Sequence, residues 1–166
     1  LEDYRDQMLL DITSDGLRIR ILDKKNRAMF SLGSDRLKPY TREILGQIAE
    51  TINEVENRIS ITGHTDARRY TQVHDYTNWE LSADRANAAR RAMLAAGLER
   101  DKVRQVVGLG DSAPFLAEDP YAAVNRRISI IVMNQETDES IRPAPEPITG
   151  DAATHEDRSR LQSAQG

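Results

Sequence analysis

Between positions 39 and 109 the apolar residues twice change from helical spacing to short alternating runs. That change restricts the chain to folds in which amphipathic helices pack on a sheet. Tyr40, Ile44, Leu45, Ile48, Ile52 and Val55 recur at helical spacing from about Pro39 to Glu56, so one stripe faces a core. Pro39 suits the first turn, where its missing N–H leaves nothing unsatisfied. Arg58-Ile59-Ser60-Ile61-Thr62 then reads as a strand ending at Gly63. A second helix is predicted from about Asn78 to Ala96. Thr77 and Glu80 have capping-box spacing, and Gly97 stands where a left-handed cap is expected. Val103 to Leu109 is the next strand candidate.

The flanks complete the pattern. Leu17-Arg18-Ile19-Arg20-Ile21-Leu22 alternates apolar and basic residues, as a half-buried strand does. Ala28-Met29-Phe30 is a short apolar return, either a strand or a loop packed on the core. Arg127 to Met133 forms a last strand, with Ile128, Ile130 and Val132 on one face and Ile131 and Met133 on the other. The predicted order is strand, helix, strand, helix, strand, strand. Strand–helix–strand crossovers favour parallel neighbours, and the last strand can return antiparallel. The expected class is α+β: a two-layer sandwich with helices on one face of a mixed sheet. Residues 1–16 read as a lead-in, 17–134 as the domain, and 135–166 as a mobile tail whose closely spaced Pro143, Pro145 and Pro147 suit neither helix nor ladder. A chain opening at Leu1 rather than methionine reads as a piece of a longer protein.

Composition removes several function classes. Aromatic residues make up only 5% of the chain, so aliphatic residues and alanine must fill the core. A net charge of -4 argues against an electrostatic nucleic-acid binder. With no cysteine there is no disulfide, thiolate metal site or cysteine nucleophile.

The chemistry-bearing residues gather between Gly63 and Arg85. Gly63-His64-Thr65-Asp66 closes a strand, which places Asp66 on a loop at the sheet's end. Asn78 and Arg85 lie seven residues apart on the second helix and so differ by only about 20° around its axis. Both are expected at the edge of an apolar stripe centred near Ala86, with Trp79 inside that stripe and in the core. An aspartate facing an arginine can clasp a zwitterion: the carboxylate takes an ammonium, and the guanidinium takes a carboxylate through a bidentate fork. An ordinary loop–helix salt bridge between Asp66 and Arg85 explains the same residues.

Gly63-His64-Thr65-Asp66, Asn78-Trp79-Glu80-Leu81-Ser82-Ala83-Asp84-Arg85-Ala86, Gly108-Leu109-Gly110 and Asn125-Arg126-Arg127-Ile128 occur in an order that resembles the OmpA-like peptidoglycan-binding family, over about Leu17 to Asn134. The polar insert before Tyr76, the run Thr77 to Ala88, Gly16-Leu17-Arg18-Ile19 and Asn26-Arg27-Ala28-Met29-Phe30 are more similar to its flagellar-stator branch than to porins or peptidoglycan-associated lipoproteins. The resemblance implies a non-catalytic wall anchor with no cofactor and no catalytic residue. It implies that Asp66 and Arg85 grip the diaminopimelate end of a stem peptide and that Asn78 and Leu81 line the groove. Arg126, with Arg127 one register away, matches the arginine before the last strand. It also implies a homodimer, a periplasmic location, and a single-span inner-membrane parent partnered with a channel subunit. Another wall anchor of the same family, on an outer-membrane lipoprotein or in a secretion system, is the alternative; a cell-wall enzyme is a second.

Other signals are weaker. His64, Asp66 and His74 match no standard zinc spacing, so no metal site is expected. Ser60, His64 and Asp66 lack a nucleophile elbow, and the alternation around Ser60 makes it a strand residue. Glu80 reads as a cap, and Arg90 and Arg91 as a solvated helix face.

Overall fold

The computed structural model describes residues 2–141 of the 166. In chain order its elements are β1 (Met8–Thr13), β2 (Gly16–Leu22), α1 (Pro39–Asn53), β3 (Ile59–His64), α2 (Asn78–Ala95), β4 (Val103–Gly108), β5 (Arg127–Met133) and α3 (Gln135–Ile141), with short 3-10 turns between some of them. The five strands form one sheet in the order β1-β2-β5-β3-β4. β3 and β4, joined through α2, are parallel, while β5 runs antiparallel between β2 and β3. The last strand therefore takes the centre of the sheet and separates β2 from β3. The mixed α+β class is the expected one.

Burial follows from the period. Ile19, Ile21, Ile59, Ile61, Ile128 and Ile130 share one face and meet Ile44, Leu45, Ile48 and Ile52 of α1 and Ala86, Ala89 and Met93 of α2 in the core. Pro39 opens α1 as expected. α2 begins on a capping box: the Thr77 N–H donates to Glu80 at 3.1 Å, and Thr77 Oγ1 accepts the Trp79 N–H at 3.2 Å. The helix ends before Gly97, which takes φ +107°. Ala28-Met29-Phe30 is a loop rather than a strand; Met29 and Phe30 are buried, and the Asp23 carboxylate accepts the Met29 N–H at 2.9 Å.

Two expectations about the ends need correction. Met8–Thr13, inside the expected lead-in, is an edge strand paired antiparallel with β2 from Met8↔Ile21 to Thr13↔Gly16. Its alternation is blurred in the sequence by Leu9, which falls on the face opposite Met8, Leu10 and Ile12, and as an edge strand it leaves Leu10 and Ile12 exposed. Residues 135–141, the start of the expected tail, form α3, held by Asp138, which receives Arg58 at 2.7 Å and Arg104 at 2.8 Å. The remainder of that tail, 142–166, lies outside the described residues.

Candidate functional site

The site forms where α2 crosses the ends of β3 and β4. Gly63 and Gly108 are register partners on those strands. A Cβ on Gly63 would stand 2.1 Å from the Ser82 carbonyl oxygen, and one on Gly108 would stand 2.5 Å from the Ala83 nitrogen. The two glycines let the helix backbone rest directly on the strands. Ser82 secures the crossing: its Oγ accepts the Gly110 N–H at 2.8 Å and donates to the Trp79 carbonyl at 2.9 Å. Leu81 and Arg85 are thereby lowered beside the loop that carries Asp66.

Asp66 is fully buried. One carboxylate oxygen accepts the Arg68 N–H at 2.9 Å, and the other receives Arg126 at 2.6 Å and the Tyr70 hydroxyl at 2.5 Å. Arg126 also donates to Asp23 at 2.7 Å, so one guanidinium bridges two buried carboxylates. Burial alone would lower the Arg126 pKa, but the bonds to Asp23 and Asp66 outweigh it and hold it above the ordinary arginine value. Burial raises the Asp23 carboxyl despite Arg126. The Tyr70 phenol is pushed up to about 12, first by burial and then by the Asp66 carboxylate it faces.

Arg85 sits deeper than the stripe edge suggested, at 4% exposure. Its Nε donates to the Ser34 carbonyl at 2.8 Å and one terminal nitrogen to the Ser31 carbonyl at 3.4 Å. The guanidinium lies 4.9 Å from the centre of the Phe30 ring and 5.9 Å from that of Tyr70. Among the described residues no carboxylate comes within 4.0 Å of it. Burial lowers its pKa. The expected alternative of a direct Asp66–Arg85 salt bridge is therefore not what forms; Arg126 takes Asp66 instead.

Asn78 Nδ2 donates to the carbonyls of Asp66 at 3.2 Å and Arg68 at 2.9 Å, tying the first turn of α2 to the loop. Leu81, one turn further along α2, is buried and borders the same groove as Asn78. All five expected site residues thus converge, and Arg126 rather than Arg127 turns toward them. Arg127 lies under Phe115 on the far side and donates to the Ala113 carbonyl at 2.7 Å.

Tyr70, Asp23 and the Ser31 and Ser34 carbonyls are participants that sequence reading missed. Tyr70 lies in an aperiodic insert, and Asp23 in the polar stretch between Leu22 and Ala28 that carries no motif. Trp79 also needs correction: it is 54% exposed. It shares the angular position of Ala86 but sits in the first turn of α2, beyond the ends of the strands that bury Ala86. His64 is buried at the end of β3, and its Nδ1 has no hydrogen-bond partner. Among the described residues no cluster of three or more His, Cys, Asp or Glu could hold a metal. No helix there is long and apolar enough to cross a membrane.

The geometry is therefore a carboxylate and a guanidinium close enough to interact, each on its own support, under one tyrosine. A family model described as the OmpA family matches residues 29–127. Motility protein B of Escherichia coli (strain K12) is 45% identical over 142 residues, covering 85% of this chain and 46% of that protein. The chain spans about half the length of the curated motility protein B relatives it matches. In the crystal structure of the periplasmic domain of Helicobacter pylori MotB, the shared fold gives a TM-score of 0.66 at 18% identity, covering 81% of this chain and 86% of that one. The cell wall anchor of the T6SS from Pseudomonas aeruginosa gives a TM-score of 0.65 at 23% identity, covering 78% and 90%. With the family match spanning more than half of its residues, this chain belongs to the OmpA family.

Proposed function

We propose that this domain is a non-catalytic peptidoglycan anchor of a flagellar motor stator. The observation that carries the reading is Arg85: a buried guanidinium supported by two carbonyls and two aromatic faces, with no carboxylate within 4.0 Å among the described residues. A ligand carboxylate supplies the missing charge, and the planar fork favours a bidentate fit. Asp66, oriented by Arg126, accepts the ammonium on the same carbon of a diaminopimelate residue. Asn78 and Leu81 line the approach. Tyr70 donates to the Asp66 oxygen that the ammonium needs, so its phenol must yield when the ligand enters.

The 45% identity to Motility protein B supports placing the domain in the periplasm, on a parent with one inner-membrane span and MotA as its channel partner. The same likeness supports a homodimer. The other reading, a wall anchor on an outer-membrane lipoprotein or in a secretion system, draws on the fold shared with the T6SS anchor. The sequence upstream of this chain separates them: an apolar helix with an embedded aspartate supports the stator, and a lipobox overturns it.

The binding test uses purified sacculi. Arg85→Ala and Asp66→Asn should each lose most sacculus capture while keeping a native circular dichroism spectrum. Arg85→Lys should also bind poorly, because an ammonium offers no fork. Sacculi carrying lysine in place of diaminopimelate should be captured less. Wild-type capture by Arg85→Ala would sink the clasp, and release of soluble wall fragments would show an enzyme.

A further inference from the structure

The face of the sheet turned away from α1 and α2 carries charge of the sign opposite to that of the chain. Along β2, β5 and β3 its residues are Arg18 and Arg20, Arg127 and Ser129, and Thr62 and His64. Arg20, Ser129 and Thr62 form one register row, and Arg127 and His64 pair in the next, about 7 Å along the strands. The chain has a net charge of -4, yet among the described residues these three arginines share one carboxylate, Asp11. It lies 2.6 Å from Arg18 and 3.7 Å from Arg20. Arg127 has no carboxylate within 4.0 Å among those residues; its two terminal nitrogens donate to the Asn125 carbonyl at 3.0 Å and the Ala113 carbonyl at 2.7 Å.

Three nitrogens of this cluster are shielded and have no hydrogen-bond partner among the described residues: Arg20 Nε, Arg127 Nε and His64 Nδ1. Arg127 and His64 are each 8% exposed. A buried N–H left unpaired is costly, and a cationic one more so. Burial first, then the Arg20 and Arg18 charges, push the Arg127 pKa down to about 10, as like charges gathered without a counter-charge do. The Phe115 ring closes the cluster. Its centre lies 5.2 Å from the Arg20 guanidinium carbon and 5.9 Å from that of Arg127. The ring is 39% exposed, on a loop exposed over residues 111–121 and pinned beside it, where the Asn125 side chain accepts the Leu116 N–H at 2.7 Å. A π face is a weak counter-charge, and an oxyanion in its place supplies a full one. Arg127 keeps only Nε for a ligand, so the planar fork that grips a carboxylate is not available there. Single donors from three strands suit an anion with several oxygens around one centre, a phosphate group.

We propose that Arg20, Arg127 and His64 form a phosphate-binding site on this face of the sheet, with Phe115 as its displaceable lid. The site lies on the side of the sheet away from the helix that carries Arg85 and does not depend on the anchoring reading. A free phosphate and the phosphodiester of a lipid headgroup present the same chemistry to it.

The whole chain is titrated with inorganic phosphate at constant ionic strength, with chloride as the matched anion. The His64 imidazole signals, read by nuclear magnetic resonance, should shift saturably with phosphate and not with chloride, while the exposed His74 stays as an internal control. Arg20→Gln should weaken phosphate binding about tenfold, the loss of one charge-assisted hydrogen bond. Arg20 is the test position because Arg127 also fastens the loop at Ala113, and its removal would disturb the fold. Phe115→Ala should tighten binding severalfold, since the ring no longer competes for the guanidinium groups. Vesicles of phosphatidylglycerol separate the two sources. Sedimentation of the wild type with them, lost in Arg20→Gln and competed by free phosphate, assigns a lipid headgroup; phosphate binding without sedimentation assigns the free anion. Equal shifts with chloride, no saturation with either probe, or wild-type affinity in Arg20→Gln overturns the site. Unchanged or weaker binding by Phe115→Ala overturns the lid.

Discussion

The Arg126 guanidinium donates to the Asp66 carboxylate at 2.6 Å, and this ion pair, not one between Asp66 and Arg85, organises the site. Arg126 also reaches Asp23 at 2.7 Å, so a single cation satisfies carboxylates from two distant loops. With Asp66 paired to Arg126, Arg85 has carbonyl and aromatic support and no acidic partner within 4.0 Å among the described residues.

Removing that shared cation should be costly. Arg126→Gln leaves Asp23 and Asp66 buried without their charge partner, and breaking a buried pair in this way costs about 3–5 kcal/mol. Urea denaturation should show the loss. A change under about 1 kcal/mol would mean the carboxylates find water or protons readily.

Tyr70→Phe separates competition from support. It deletes the hydroxyl that donates to Asp66 at 2.5 Å and keeps the ring beside Arg85. Stability should fall by about 1 kcal/mol, the net worth of such a bond at a half-buried position. Capture of sacculi should rise, since the ammonium no longer competes for that oxygen. Weaker capture would make the hydroxyl part of the binding surface.

Gly63→Ala and Gly108→Ala test how α2 is seated. Each added methyl would meet helix backbone closer than 3.0 Å, and backbone cannot rotate aside. Each should destabilise at the upper end of the roughly 1–3 kcal/mol typical of overpacking. Binding should weaken too, because α2 carries Asn78, Leu81 and Arg85. Thermal melts alongside sacculus capture read both effects.

His64 gives the fold a pH dependence. Burial, reinforced by the Arg127 charge, pushes its pKa down from 6.5 to about 4. The unfolded chain therefore binds the proton more readily. The contribution of neutral His64 is fully present above pH 6.5 and is lost as pH falls toward 4, by up to about 3 kcal/mol. Urea melts at several pH values across that window should lose stability in the wild type, and His64→Gln should flatten the profile. Parallel profiles would assign the slope to carboxylates instead.

What the sequence by itself determined was local or ordered along the chain. The helical stripe of Tyr40 to Ile52, the Thr77–Glu80 cap, Gly97 and the alternation of Arg127 to Met133 each fix a neighbourhood of a few residues, where period and capping chemistry suffice. The ordered motifs brought out Asp66, Asn78, Leu81, Arg85 and Arg126, and these converge. Tertiary structure decided whatever depends on distance across the chain. Arg126 meets Asp66 sixty residues away and Asp23 at a separation of 103 residues, and no spacing rule ranks such partners. The central place of β5 in the sheet, β1 as an edge strand and the docking of Asp138 on Arg58 and Arg104 are choices of the same kind. Trp79 shows the reason most simply. Helical period gives an angle around an axis, but burial also needs something beneath that angle, and the strands end before the first turn of α2.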